Sequence, residues 1–326
     1  MAFGLPSAPM GFVGYCQFLM SGTSTAFPNR YQVRATGCDL RLSQAIAKPE
    51  ITDIRYDRNV YTVMPEEIGG TISFPVVLYD AATRIQTKDL TAALYEAATL
   101  RNYQGRLSSF DVAVKYSHSD AEYIYQKCYV NTFKFSVEQG STIDIGVDVI
   151  GKYRIEDSFS PKTVHNSRIA TWNDVIVRAA GEVNIPGRYL RRFEANINNN
   201  IERIYTANGK LQAQDLTPRQ RDVDGTFTVM GRYPQLARYS RDNPARCIEE
   251  SYLEFGYAAP CSVCDSDGGC SHSSGGFAAR LPNIVYEVEE ISSTNDVLET
   301  VVKWHSIPTN HNLAALNSSI LTALFI

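Results

Sequence analysis

Four residues in one short stretch have the types and spacing to hold a metal. Cys261, Cys264, Cys270 and His272 run as Cys-x2-Cys-x5-Cys-x-His, and Cys247 is available as a further thiolate. Structural zinc takes four nitrogen or sulfur ligands in a tetrahedron and an iron–sulfur cluster takes four thiolates, so the count suffices for either. Cys270 and His272 stand close together for ordinary structural zinc, and the surrounding Ser and Gly equally suit a flexible loop. Three states stay open: a bound metal, a disulfide such as Cys261–Cys264 or one between chains, and free thiols. A metal- or redox-dependent enzyme on this loop would also need a general base and a pocket, and the sequence identifies neither.

The other constellations have plainer readings. Neighbours on an extended chain point to opposite faces, so Ser117-His118-Ser119-Asp120 is expected as a polar turn, not a catalytic relay. Asp222-x-Asp224-Gly225 and Asp265-x-Asp267-Gly268 open like calcium loops, but Tyr233 and Gly276 stand where the closing glutamate belongs. Both are expected as turns. The glycines from Gly268 to Gly276 lack the Gly-Lys-Ser/Thr ending of a phosphate loop. Arg188, Arg191 and Arg192 alternate with aromatic residues and are expected to pair with carboxylates such as Glu202 or Asp222 rather than with nucleic acid. No catalytic residue and no required cofactor emerge.

The elements that position these residues look duplicated. Val33 to Ala45 reads as a strand, with Cys38, Leu40 and Leu42 on one face, and leads through a long loop or extended hairpin, 46–69, into a strand from Gly70 to Tyr79. Tyr189 to Ile197, with Phe193, Ala195 and Ile197 on one face, leads through a second long loop into Gly225-Thr226-Phe227-Thr228-Val229. The run Asn198-Asn199-Asn200 suits a turn or bulge. Each copy closes with two alternating strands: Tyr125 to Val137 and Ser141 to Tyr153, then Asn283 to Ile291 and Asp296 to Ile307. Asp89 to Asn102 has helical spacing, and a shorter helix is expected over 234–249. The division is an N-terminal arm 1–32, a first unit 33–153, a connector 154–180, a second unit 181–309 with a Cys-rich insertion 258–280, and a C-terminal arm 310–326.

Composition bounds the function. The chain has 326 residues, 44% hydrophobic and 11% aromatic, enough to build two cores, and its formal charge of −4 offers no basic stripe for nucleic acid. No run of about 18 apolar residues suggests a membrane span. Seven cysteines with no secretory signal point to thiols made in a reducing cytoplasm, since residues 1–29 lack charge and Pro6 and Pro9 interrupt them. The uncharged ends, 1–29 and 312–326, are expected to bury themselves, with a neighbouring subunit as one surface for them. A repeated β unit without a catalytic constellation points to an assembly part.

The segment Phe193-Glu194-Ala195-Asn196-Ile197-Asn198-Asn199-Asn200-Ile201-Glu202-Arg203, followed by Arg221-Asp222-Val223-Asp224-Gly225-Thr226-Phe227-Thr228, resembles the tail tube proteins of tailed bacteriophages. Leu40 to Ile46 and Gly69 to Phe74 match the same pattern without the asparagine run. The resemblance implies a mainly β fold with minor α: two tandem tail-tube-like β-sandwich or half-barrel domains, each with a flanking helix. It implies a structural virion protein whose units complete a sixfold ring from three chains, a homotrimer whose rings stack into the tube. Loops 46–69 and 205–222 and the termini would then touch adjacent rings, and DNA would pass through the lumen without specific binding. The partners implied are other copies, the tape measure, the sheath and baseplate or hub components, with assembly in the host cytoplasm. A tube-like baseplate hub or tube initiator forming a single ring is the nearest alternative.

Overall fold

Strict alternation builds most of the strands. In the computed structural model the described residues are 13–20, 31–33, 35–47, 62–78, 87–102, 104–116, 122–157, 168–179, 183–185, 189–206, 211–231, 251–258, 276–292 and 298–307. The first copy contains β1 (Val13–Met20), β2 (Tyr31–Val33), β3 (Gly37–Cys38), β4 (Arg41–Ala47), β5 (Thr62–Pro75), β6 (Val77–Leu78), α1 (Thr87–Thr99), β7 (Phe110–Tyr116), β8 (Glu122–Glu138), β9 (Ile143–Gly151) and β10 (Tyr153–Glu156). Then follow β11 (Arg168–Ile169), a 3-10 turn at Trp172–Asp174, β12 (Val175–Ala179), β13 (Val183–Ile185), β14 (Leu190–Asn198), β15 (Ile201–Ile204), β16 (Asp215–Pro218), β17 (Asp222–Met230), β18 (Tyr252–Ala258), β19 (Gly276–Pro282), β20 (Ile284–Ser292) and β21 (Leu298–Ser306). On β9, Ile143, Ile145, Val147 and Val149 are fully buried while Asp144 and Asp148 lie on the opposite face.

An unbroken antiparallel path runs β4-β5-β9-β8-β14-β17-β21-β20. Its first four strands come from the first copy and its last four from the second, in the same spatial order. The register repeats as well. Gly70 lies opposite Val149 and Gly225 opposite Trp304; Phe133 lies opposite Val147 and Val288 opposite Val302. Along the inner strands, from Leu42 and Ile197 to Val147 and Val302, counterparts stand 155 positions apart, as Gly225 does from Gly70. Because β8 pairs with β14, the copies share one sheet.

A second layer covers each half of this path. In the first copy it is β2-β1-β7 and the leading part of β8; in the second it is β13-β12-β18-β19. Phe18 of β1 packs on Phe74 of β5, and Phe255 of β18 packs on Phe135 and Phe193, giving one continuous apolar core. The chain passes between layers at a left-handed residue in each copy, Lys127 (φ 51°) within β8 and Asn283 (φ 55°) between β19 and β20. The link from β18 to β19, residues 259–275, is longer than 117–121 between β7 and β8. The span from β17 to β18 is correspondingly shorter than that from β5 to β7, so the inner strands keep their spacing.

Several expectations need correction. The strand read from Val33 to Ala45 is divided among β2, β3 and β4: β2 pairs with β1 in the second layer, while β3 and β4 both pair with β5 and are parted at Asp39, whose carboxylate accepts the Thr71 N–H. Part of the expected N-terminal arm is β1, paired with β7, with Cys16 and Phe18 fully buried. Asp222 and Asp224 lie within β17, opposite Asn198 and Asn196, instead of in a turn. The alternation of Gly225 to Val229 extends back through the buried Val223. The second long loop contains the β15–β16 hairpin. The helix is three residues shorter at its C-terminal end than expected, finishing at Thr99. The expected helix at 234–249, the turn at 117–120 and most of the loop 46–69 lie outside the described residues.

Candidate assembly interface

The seam between the copies is built first by main-chain pairing. Across β8 and β14, Thr132 to Glu138 stand opposite Asn198 to Arg192 in unbroken register. Phe133 and Phe135 on one strand and Phe193 and Ile197 on the other are all fully buried. Phe135 meets Phe193 edge-on at 5.9 Å between centroids, and Phe255 caps both at 5.2 and 5.4 Å. Polar side chains take the opposite face. Lys134 reaches Glu194 at 3.0 Å, and Arg192 reaches the same carboxylate at 3.0 Å. Burial pushes the Glu194 carboxyl up, but hydrogen bonds from Lys134, Asn196 and Arg192 outweigh it and hold the group below its ordinary value.

Helix α1 lies over this seam. Leu90, Leu94 and Ala98 are fully buried, and Tyr95 contacts Phe133 of the first copy and Phe277 of the second at 5.8 and 5.5 Å. Tyr257 of β18 donates its hydroxyl to Thr91 Oγ1 at 3.1 Å, with both residues buried. At the far end of the helix, fully buried Asn199 donates from Nδ2 to the carbonyls of Ala98 (2.9 Å) and Val130 (3.0 Å), and its Oδ1 accepts from Arg221 Nε (3.0 Å). One amide therefore ties α1, β8 and the approach to β17 together. Burial, aided by Arg101, lowers the Arg221 guanidinium to about 10. Asn200 is left-handed (φ 49°), so the asparagine run forms the expected turn, but its middle member is a buried tie that spacing did not reveal.

The β15–β16 hairpin reaches back over the first copy. Arg203 Nη2 donates to Ile68 O at 3.1 Å, Tyr205 OH to Glu66 O at 3.2 Å, and Lys152 Nζ to Gln214 O at 2.8 Å. Ala213 and Leu216 pack with Ile150 beneath it. Within segment 205–222, Tyr205, Ala213, Gln214 and Leu216 thus contact the first copy of their own chain.

A glycine in each copy permits the close strand crossing. A Cβ on Gly70 would stand 2.7 Å from Asp39 O, and one on Gly225 would strike Glu194 O and the Trp304 ring. Asp39 and Glu194 are themselves counterparts, which gives the repeated Gly-Thr motif its physical reason.

The outer edges of the shared sheet differ from the seam. Among the described residues β4 and β20 each have one strand neighbour on the path, β5 and β21. Half-buried Cys38, Leu42 and Val288 lie along these edges.

The metal candidates Cys247, Cys261, Cys264, Cys270 and His272 lie outside the described residues, as do Arg188, Asp265 and Asp267. Among the described residues no group of ligands is placed to hold a metal ion. Cys16, Cys38 and Cys128 are free thiols, and burial raises the pKa of each. Arg191 pairs with Glu299 at 3.4 Å and Arg192 with Glu194, so these arginines do meet carboxylates, but not the expected Glu202 or Asp222. Glu202 instead pairs with Arg219 and Asp222 with Asn200. No helix among the described residues is long and apolar enough to cross a membrane.

A search of curated proteins finds no match. Residues 43–230 match the family model for phage tail tube protein, a span that runs from β4 across the β8–β14 seam to the end of β17.

Proposed function

The chain belongs to the phage tail tube protein family, whose members are structural parts of the virion tail, and from that premise we propose that three copies close into a ring with six equivalent units. The observation that carries this is the β8–β14 seam, where two units already stand side by side with the same strand order. Continuing that order from β20 to β4 of the next chain removes both open edges, and a closed barrel has none left to aggregate. Head-to-tail contacts between rings then stack them without limit.

The face of the sheet opposite the core becomes the lumen wall. Asp144, Asp148, Glu194, Asp222 and Asp224 stand there among Lys134, Arg192 and Lys303. An acidic excess lets DNA pass without being gripped. The tape measure, the sheath and the hub or baseplate are the other contacts this role requires. The protein is then an assembly part with no catalytic task.

A single-ring hub or tube initiator is favoured by the Cys-rich segment, since a unique metal or disulfide site suits a specialised part. Mass measurement with electron microscopy tests both readings. A trimer that builds long tubes supports the tube, isolated closed rings support the hub, and a monomer at all concentrations overturns both. Metal analysis after purification under reducing conditions tests Cys261, Cys264, Cys270 and His272 as ligands of zinc or a cluster, with less than one equivalent removing that role.

A further inference from the structure

The internal seam specifies the register of the seam between chains. In β8–β14 pairing, Phe133 stands opposite Ile197, Lys134 opposite Asn196 and Thr132 opposite Asn198. Their counterparts 155 positions away are Val288 and Leu42, Glu289 and Arg41, and Glu287 and Ser43. The geometry points to a second copy of this chain as the occupant of the β4 edge, its β20 laid antiparallel with Val288 opposite Leu42, Glu289 opposite Arg41 and Glu287 opposite Ser43. This rests on the ring reading above and adds its atomic register.

Two observations support the pairing. Val288 and Leu42 are half-buried and already packed against the core, whereas their counterparts Phe133 and Ile197 at the internal seam are fully buried. Pairing covers both apolar groups at once. The edges also differ in charge: Glu287, Glu289 and Glu290 lie along β20, and exposed Arg41 lies on β4. Two β20 edges brought together would set glutamates against one another, and like charges facing across a ladder are destabilising. A β20 edge meeting a β4 edge sets glutamate opposite arginine. The joint therefore forms in one direction only, as a ring requires.

The test is a disulfide trap in the full chain. Facing Cβ atoms across an antiparallel pair lie about 4.5–5.5 Å apart and diagonal ones about 7–8 Å, while a disulfide needs about 3.5–4.5 Å. On oxidation, the S43C/E287C double variant should give covalent dimers and trimers on non-reducing electrophoresis. Neither single variant should do so, which controls for the native cysteines, and S43C/E289C, displaced by two positions, should give much less. In parallel, Glu289→Arg should weaken ring formation about tenfold per seam, and adding Arg41→Glu should restore it. A trimer by mass in which S43C/E287C does not bond overturns the register and leaves the ring standing. A monomer removes the ring and the register together.

Discussion

Replacing Asn199 with alanine withdraws three hydrogen bonds from a site closed to water. Two are neutral, to Ala98 O and Val130 O, and one comes from the buried Arg221 guanidinium. A neutral bond contributes about 1 kcal/mol net and one to a charged group about 1.5–3 kcal/mol. The three together reach about 4 kcal/mol, and relaxation around the vacated amide reduces this to about 3 kcal/mol. The assay is urea unfolding of dilute protein, reading the midpoint and slope by intrinsic fluorescence. Asn199→Asp is the discriminating control: it still accepts from Arg221 but donates to neither carbonyl, so it should also be destabilised. A loss below about 1 kcal/mol for alanine, or a fully stable aspartate variant, would refute the tie between α1 and the seam.

Three further outcomes follow from particular contacts. Gly225→Ala should cost about 2–3 kcal/mol in the same assay because its methyl meets Glu194 O and the Trp304 ring, whereas Gly146→Ala, whose nearest neighbour is Lys134 Cβ at 3.5 Å, should cost under about 1 kcal/mol. Burial raises the Asp148 carboxyl above its ordinary 3.8 despite the hydrogen bond from Asn131. Between the unfolded and folded values the folded chain holds more protons, so this group's contribution falls as pH rises from near 3.8 through the raised value; Asp148→Asn should abolish that fall in urea midpoints measured across the acid range. Cys16 and Cys128 should resist iodoacetamide at pH 8 until the protein is unfolded in urea, as read by peptide mass spectrometry; rapid labelling of either in the native protein would contradict its burial.

Local periodicity carried much of the architecture. Ile143 to Val149 alternate so strictly that β9 could be read directly, and Leu90, Leu94, Ala97 and Ala98 marked the buried face of α1. The choice of partner strand was not local. Nothing in Phe133 or Phe135 says that β14, from the other copy, lies alongside, because every alternating strand offers the same face to any neighbour. The division of Val33 to Ala45 was hidden for a similar reason: β2 pairs with β1 while β3 and β4 pair with β5, and the Asp39 side chain that parts the last two is revealed only by the position of Thr71. Asn199 looked like one of three turn residues, since its depth depends on α1, one hundred positions earlier in the chain.

The two kinds of joint in the proposed ring differ in when they close. The β8–β14 joint is sealed as soon as one polypeptide folds, so it can be lined with phenylalanine and isoleucine that never meet solvent. Among the described residues the β4 and β20 edges have no such cover within the chain, and there the smaller Leu42 and Val288 sit beside arginine and glutamate. In the proposed ring, tandem duplication thus divides the labour: the greasier contact is confined within the molecule, and the meeting of one chain with the next falls to a wetter, salt-sensitive surface.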